Sequence, residues 1–139
     1  MKVVFADTGF WAARFDPKDD HHASAKAAVA ALGQFRTLTT EMVLTEFLTM
    51  FGAPAFRAQA AKVVRAIMDN PNTEVVPQTS MQFAQALVLY EQRTDKNWSL
   101  TDCASFELMR TRGVQDALAH DHHFEQAGFA ALMRVHAIK

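Results

Sequence analysis

Short apolar runs alternate along the whole chain with longer stretches that carry a helical pattern. The first run, residues 3–6, contains no polar side chain, as is expected for a strand buried on both faces of a sheet. Such strands joined by helices form parallel sheets with helices on both faces. The alternation therefore predicts an α/β fold in a single domain, residues 1–139. The predicted strands are residues 3–6, 36–40, 73–76, 117–119 and 132–135, of which residues 36–40 are predicted from their threonine content rather than from apolar side chains.

The segments between these runs carry the signals of helices. Residues 19–32 are rich in alanine, begin with an aspartate pair that can cap the helix, and are followed by a glycine. Residues 41–51 are apolar around most of the helix circumference. The helical spacing in residues 80–92 predicts that Phe83, Leu87 and Tyr90 face inward. The predicted helices are residues 10–15, 19–32, 41–51, 56–68 and 80–92, and a sixth begins near Thr101.

Composition excludes several classes of protein. Half of the 139 residues are hydrophobic, which argues against disorder, and the net charge of −1 lacks the basic excess of a nucleic-acid binder. A nucleic-acid role would therefore need a local basic patch. Cys103 is the single cysteine, so no internal disulfide is expected, and the apolar N-terminal stretch is interrupted by Asp7 too early for a signal peptide. No run approaches the roughly 18 apolar residues of a membrane span, so we expect a cytoplasmic protein with no membrane partner.

Four acidic residues lie where an α/β sheet gathers its functional groups. Asp7 directly follows the first strand, and Asp121 follows the fourth. Asp102 opens the helix that leads into the fourth strand, and Glu46 lies on the helix after the second strand. Because ligands of open α/β sheets bind at the carboxyl ends of the strands, these four carboxylates are expected to converge.

Each acid also has a structural interpretation. Asp7 and Asp121 are suited to cap the helices that follow them, and Asp102 fits the capping box that begins at Ser99. Glu46 is harder to explain in this way, because its neighbours on the helix are apolar and a buried carboxylate is costly without a partner. Crowded carboxylates repel one another unless a cation joins them. A seat for Mg²⁺ or Mn²⁺ explains all four, and a metal-bound water can attack a phosphodiester.

The sequence motifs around these acids resemble those of the PIN-domain family, and within it those of the VapC-type ribonuclease toxins of bacterial and archaeal toxin–antitoxin systems. The matching motifs, in the order of the family, are ADTGFW, TTEMVLTEFL, WSLTDCASFELM and ALAHDHHFEQAGF. The resemblance implies a Rossmann-like α/β/α sandwich with a five-stranded parallel sheet, and metal-dependent endonucleolytic cleavage of RNA. It implies that Asp7, Glu46, Asp102 and Asp121 are the catalytic, metal-binding residues, with Thr8, Ser99 or Thr101 as supporting hydroxyls.

The resemblance also implies partners, namely an RNA substrate, a cognate antitoxin and a second copy of the chain. The helical surface of residues 41–68 is the one stretch that offers independent support for such contacts, although its apolar side chains can equally belong to the core. Two alternatives stay open. A PIN-domain nuclease of RNA maturation or decay would have the same acids without an antitoxin, and a non-catalytic nucleic-acid or protein-binding module would use the fold without metal.

Other side chains near the predicted site have both a functional and a structural interpretation. Basic residues in the adjoining segments are candidates for phosphate contacts or for a solvated surface: Arg14, Lys18, Arg93 and Lys96. Aromatic residues are candidates for base stacking or for the core: Phe10, Trp11, Trp98 and Phe124. The histidines are expected at exposed turns rather than in a zinc site, because regular ligand spacing is lacking. His120 or His122 remains a candidate to contact phosphate or to orient Asp121.

Overall fold

The computed structural model describes residues 1–136, and its centre is a five-stranded sheet in which every pairing is parallel. The strands are β1 (Lys2–Ala6), β2 (Phe35–Thr40), β3 (Thr73–Val76), β4 (Asp116–Leu118) and β5 (Ala130–Ala131). Their order in the sheet is β3-β2-β1-β4-β5, so the first strand of the chain lies in the middle. This confirms the predicted α/β class and the five-stranded parallel sheet.

Eight helices connect and cover the strands within the described residues. The eight helices are α1 (Thr8–Phe15), α2 (His22–Leu32), α3 (Glu41–Met50), α4 (Pro54–Asp69), α5 (Ser80–Gln92), α6 (Leu100–Arg112), α7 (His122–Gln126) and α8 (Leu132–Val135). Two of them, α3 and α6, begin at the carboxyl-edge side of the sheet with side-chain caps from Thr40 and Ser99.

The alternation of side chains along β1 divides the core into two layers. Val4 packs with buried residues of α1, α2 and α8, whereas Phe5 packs with buried residues of α6 and α7 on the other face. Successive side chains of a strand point to opposite faces, so a strand without polar residues requires helices on both sides. A further cluster joins α3 to α4 through Phe47 and Ile67. This packing holds the carboxyl end of β1 between both helical layers.

The fifth strand differs from the prediction. Residues 132–135 form helix α8, and the strand is the preceding pair Ala130–Ala131, which pairs with Asp116 and Ala117. A short apolar run does not distinguish a strand from a buried helical turn. Here Met133 is buried and its N–H bonds to the carbonyl oxygen of Ala119, whereas Val135 is exposed, which is the one-sided burial of a surface helix.

The inward face predicted for α5 is also wrong. Phe83, Leu87 and Tyr90 are 43%, 42% and 51% exposed, and Ala86 is the buried residue of this helix. Helix α5 packs closely on α6, and the small side chain of Ala86 lets the two helix backbones approach. The larger side chains therefore remain on the outer surface. No helix in the described part of the chain has the length and apolar character to cross a membrane.

Candidate metal centre

Asp7 is fixed by its backbone at the carboxyl end of the central strand. Its N–H donates to the carbonyl oxygen of Leu118, and its own carbonyl oxygen accepts from the N–H groups of Phe10 and Trp11 at the start of α1. Its side chain makes no capping hydrogen bond, and the residue is only 8% exposed. The predicted role as a helix cap is therefore filled by the backbone of Asp7, whereas its carboxylate makes no capping bond and is stabilised in part by the backbone of Thr8.

Asp102 has a structural role and a place in the site at the same time. The hydroxyl of Ser99 accepts the N–H of Asp102, and Oδ2 of Asp102 accepts the N–H of Ser99, which completes the predicted capping box. The residue is 9% exposed in the first turn of α6. Because a parallel connection places the start of α6 at the carboxyl edge, the capping box also directs this carboxylate towards Asp7.

Asp121 and His123 complete this side of the cluster. Oδ1 of Asp121 accepts the N–H of His123 at 3.0 Å, which caps α7 as predicted. Nδ1 of His123 lies 3.0 Å from Oδ2 of Asp102 and 3.3 Å from Oδ2 of Asp121. The imidazole thus lies between two of the four predicted ligands. His122 is exposed, with its Nδ1 3.5 Å from Oδ1 of Asp121.

Glu46 reaches the site from α3 and is held there by α1. The hydroxyl of Thr8 donates a hydrogen bond of 2.6 Å to Oε1 of Glu46. Thr8 itself is buried, and Glu46 is half-buried. The hydroxyl of Thr8 is therefore the polar partner of the Glu46 carboxylate on an otherwise apolar helix. This contact supports the predicted role of Thr8 as a supporting hydroxyl.

The pKa of Asp7 responds to the charges of the other three acids. Burial, and after it the charge of Asp102, raises the pKa of Asp7 from 3.8 to about 8, with smaller contributions from Glu46 and Asp121. Burial also raises the pKa of Asp102, although the backbone of Ser99 and the side chain of His123 counter it. Within residues 1–136, no lysine or arginine forms an ion pair with any of the four acids.

The residues present fit a divalent metal ion. The buried carboxylate of Asp7 makes no capping bond, and the negative charges of three further carboxylates repel it. A bound cation would offset this repulsion. Oxygen ligands of this kind are those that hard divalent ions prefer. Asp7, Glu46, Asp102 and Asp121 would hold the ion, and Asp121 also belongs with His122 and His123 to a group of close potential ligand atoms.

The other predicted residues are distributed unevenly around the acids. Thr101 is buried in the first turn of α6. Arg93 pairs with Asp95 and lies over the ring of Trp98, and Lys96 lies 3.8 Å from Asp95, so both basic groups have partners in their own loop. The structure does not bring Arg14 to the acids, since it lines a cavity of about 450 Å³ near the first residues of β2 and β3. Lys18 lies in the loop between α1 and α2, where its N–H bonds to Asp16.

Most of the candidate aromatic residues belong to the core. Phe10, Trp98 and Phe124 are buried, and the indole N–H of Trp98 donates to Gln126, so these three rings are not available to stack on bases. Trp11 is half-buried and bonds to Thr39. Their burial therefore favours a structural role in the core over base stacking for these aromatic residues.

The sequence analysis expected His123, like the other histidines, at an exposed turn, and it considered only His120 and His122 as orienting residues. This is wrong for His123, because its side chain is 16% exposed and its ring contacts the carboxylates of both Asp102 and Asp121. The signal in the sequence was the position of His123 two residues after a capping aspartate, which places it in the first turn of a helix at the site. His120 is instead stacked on His21, with ring centroids 3.9 Å apart, and burial followed by the charge of His21 lowers the pKa of His120.

The parallel sandwich and its acidic carboxyl edge define an α/β protein with a candidate metal site, and comparison with known proteins places it in a family. The sequence profile of the PIN domain matches residues 4–130. The chain is 32% identical over 127 residues to the 23S rRNA-specific endonuclease VapC20 of Mycobacterium tuberculosis, a match that covers 91% of this chain and 95% of that protein. The chain belongs to the PIN-domain family.

The solved structures agree with this assignment. The crystal structure of Mycobacterium tuberculosis VapC20, described as a sarcin-ricin loop cleaving toxin, matches with a TM-score of 0.83 and 30% identity. The match covers 92% of this chain and 97% of that one. The predictions of a PIN-like fold and of a VapC-like PIN-domain endoribonuclease are confirmed, and membership of the family implies dependence on a divalent metal ion.

Proposed function

We propose that this chain is the toxin of a toxin–antitoxin pair and hydrolyses RNA phosphodiesters at the four-carboxylate centre with Mg²⁺ or Mn²⁺. The observation that carries the proposal is the match to an rRNA-specific endonuclease over 91% of this chain, and the buried Asp7, whose pKa is raised to about 8 by burial and by the neighbouring acids, supports a bound cation. The charged form of this carboxyl group is unfavourable in the metal-free protein and becomes favourable when a cation is bound. The likeness to an rRNA endonuclease supports RNA as the substrate.

Each residue of the centre has a defined task in this proposal. A divalent ion bound there supplies a water of lowered pKa and offsets charge on the phosphate. The buried Asp7 and Asp102 would hold the ion together with Asp121, which lies at the start of α7. Thr8 keeps Oε1 of Glu46 in place through its hydrogen bond. No nucleophile from the protein is needed, and Cys103 is unsuited to that role because burial raises the pKa of its thiol to about 11.

The experiment that tests the activity is cleavage of purified RNA with Mn²⁺, with Mg²⁺ and with EDTA. The substrates are intact 23S rRNA, because a related endonuclease is specific for it, and a mixed pool of structured RNA. Asp7→Asn is compared with wild type, and Asp69→Asn, an exposed acid at the end of α4, is the matched control. We expect discrete, metal-dependent products from wild type and Asp69→Asn and none from Asp7→Asn. Full activity of a folded Asp7→Asn protein, or the lack of both metal binding and cleavage in wild type, would contradict the proposal.

We further propose a homodimer, a cognate antitoxin and a cytoplasmic location. Support for a protein partner comes from large apolar side chains on the outer surface of the predicted contact region, residues 41–68: Met50, Phe56 and Met68. A monomer by light scattering at micromolar concentration would contradict the dimer. Growth arrest on expression, relieved by the product of an adjacent gene, would support the antitoxin; cleavage without such relief would favour the nuclease of RNA maturation or decay.

A further inference from the structure

Helix α4 carries three exposed basic side chains that have no acidic partner. Residues 47–68 are the longest stretch of the sequence without an acidic residue, and they contain Arg57, Lys62 and Arg65. All three lie on α4, and within residues 1–136 none of them forms an ion pair. In contrast, each arginine between residues 70 and 136 pairs with a carboxylate: Arg93, Arg110, Arg112 and Arg134. The net charge of −1 therefore conceals a local basic surface, which consists of Arg57, Lys62 and Arg65.

The packing of α4 fixes the direction of this basic surface. One stripe of the helix, with helical spacing, is buried against α3: Ala60, Val64 and Ile67. Because successive residues of a helix turn by about 100°, Lys62 and Arg65 point away from this stripe towards solvent. At the start of α4, Nε of Arg57 donates a hydrogen bond of 3.0 Å to the carbonyl oxygen of Gly52. This bond holds the guanidinium at the turn between α3 and α4, and its other nitrogen atoms can donate to a further acceptor.

The basic surface is rigidly connected to the acidic centre through α3. Glu46 lies on α3, and the next residue, Phe47, is fully buried in the cluster that includes Val64 and Ile67 of α4. The axes of packed helices are about 8–10 Å apart, so α4 lies about one helix diameter from the helix that carries Glu46. The three basic side chains extend over about 12 Å along α4, because a helix rises by about 1.5 Å per residue. They can therefore contact more than one phosphate of an RNA chain that enters the acidic centre.

We propose that the basic surface of α4 binds phosphate groups of the RNA substrate on the side of the scissile bond where α3 and α4 lie. Lysine and arginine contacts to phosphates supply most of the sequence-independent affinity of proteins for nucleic acids. The carboxylates of the centre cannot supply it, because they repel phosphates that are not next to the metal ion. The inference rests on the ribonuclease activity of the proposed function. The exposed Phe56 lies nine residues before Arg65, or about two and a half turns, so a protein bound at Phe56 leaves Arg65 open.

The salt dependence of RNA binding tests the phosphate contacts. The probe is a fluorescein-labelled RNA stem-loop, and its binding to the full chain is followed by fluorescence anisotropy in EDTA, between about 50 and 200 mM KCl. Each phosphate contact contributes about 0.7–0.9 to the slope of log affinity against log salt concentration. The double variant Lys62→Gln/Arg65→Gln should therefore lower the slope by about 1.4–1.8 and the affinity at about 100 mM salt by roughly tenfold or more. An unchanged slope and affinity would overturn the inference.

The matched control removes the same charge from another helix. Arg110→Gln/Arg112→Gln lowers the net charge equally in the last turn of α6, which packs on the opposite face of the sheet: Val75 belongs to the cluster of α4, and Val76 packs on the cluster of α6. This control should keep the slope of wild type, and equal losses in both double variants would overturn the inference in favour of net charge alone. A second stem-loop of different sequence should show the same loss, because phosphate contacts carry no sequence information. Circular dichroism confirms that each variant is folded.

Cleavage kinetics on intact 23S rRNA separate this inference from the proposed function. In Lys62→Gln/Arg65→Gln we expect KM to rise and kcat to stay close to wild type, because the lost contacts bind ground state and transition state alike. Cleavage with unchanged KM and salt slope overturns the inference and leaves the nuclease intact. A lower slope without metal-dependent cleavage by wild type supports the RNA surface and contradicts the proposed function. Unchanged RNA binding, with weaker binding of an acidic protein from an adjacent gene, overturns the inference and assigns the surface to that protein.

Discussion

The hydroxyl of Thr8 lies 2.6 Å from Oε1 of Glu46 and joins the first turn of α1 to the second turn of α3. The same hydroxyl lies 3.5 Å from the carbonyl oxygen of Val43, one turn earlier on α3. Both helices start at the carboxyl ends of neighbouring strands, β1 and β2. Thr8 therefore links the start of α1, beside Asp7, to the turn of α3 that carries Glu46, and both carboxylates belong to the proposed metal centre.

Replacing Thr8 by valine should impair the centre without unfolding the protein. Valine has nearly the shape of threonine but cannot donate to Glu46, so the glutamate loses its fixed orientation. Loss of such a supporting contact costs about tenfold or more in metal affinity or activity. Calorimetric titration with Mn²⁺ and the RNA cleavage rate measure the effect. Thr8→Ser retains the hydroxyl and should remain close to wild type, and a fully active Thr8→Val would contradict a positioning role for Thr8.

Asp7→Asn should stabilise the metal-free protein in a manner that depends on pH. The folded state raises the pKa of Asp7 from 3.8 to about 8, so between these values the folded chain binds a proton that the unfolded chain has lost. The stability of wild type therefore falls as pH rises through this window, and the advantage of Asp7→Asn grows until about pH 8 and then stays constant. Each pKa unit corresponds to about 1.4 kcal/mol, so the plateau is of the order of a few kcal/mol.

Urea unfolding in EDTA, at several values between pH 4.5 and pH 8.5, measures this advantage. Asp69→Asn is the control, because this acid is exposed and its replacement should change the free energy of unfolding equally little at every pH. A constant difference between Asp7→Asn and wild type across the range would show that Asp7 is not desolvated in the folded protein.

Metal affinity should rise with pH between about 6 and 8. In this range the Asp7 carboxyl holds a proton in the free protein, because its pKa is raised to about 8, and a bound ion must displace it. One competing proton weakens the apparent affinity by about tenfold for each pH unit below that pKa. Calorimetric titration of Mn²⁺ in two buffers with different ionisation enthalpies counts the released proton. An affinity that is flat over this range would contradict the predicted competition.

Ser99→Ala and Asp102→Asn should separate the structural and metal-binding roles of the capping box. Ser99→Ala removes the cap of α6 and should cost about 1 kcal/mol of stability, because the N–H of Asp102 loses its partner. Asp102→Asn retains an oxygen that can accept the N–H of Ser99, so it should change stability little and weaken Mn²⁺ binding strongly. Thermal melting and metal titration of both variants distinguish these outcomes. A strongly destabilised metal-free Asp102→Asn would contradict this prediction and would indicate that the charged carboxylate, through its contact with His123, stabilises the fold.

The architecture was predictable because residues 3–6 of β1 lack polar side chains and the other short strand segments alternate with helices. The carboxyl edge of such a sheet is fixed by chain direction, so the positions of Asp7 and Asp121 after their strands predicted that they lie at the same edge. The end of the chain was not predictable by this route. Residues 132–135 are too few to show a period, and the contact of Met133 with Ala119 is set by tertiary packing.

The role of His123 could not be read from local sequence for a different reason. Three histidines surround Asp121, and successive residues of a helix point in directions about 100° apart. Which imidazole faces Asp102 depends on the rotation of α7, and that rotation is set by Phe124 in the core between Phe5 and Phe106. These contacts span distant parts of the chain, so the pattern of residues 120–123 alone leaves the choice open.

The last prediction concerns Gly9, where the ring of His120 leaves no space for a side chain. A Cβ atom at Gly9 would lie 2.6 Å from Nε2 of His120, and that ring is stacked on His21 at 3.9 Å between centroids. Alanine favours a helix over glycine by about 1 kcal/mol, whereas overpacking costs typically 1–3 kcal/mol, about as much or more. We therefore expect Gly9→Ala to be destabilising in wild type and stabilising in a His120→Ala background. A double-mutant cycle by urea unfolding measures the coupling. Independent effects of the two substitutions would mean that the His120 ring turns aside freely, and the stack on His21 would then contribute nothing to holding the loop beside Asp121.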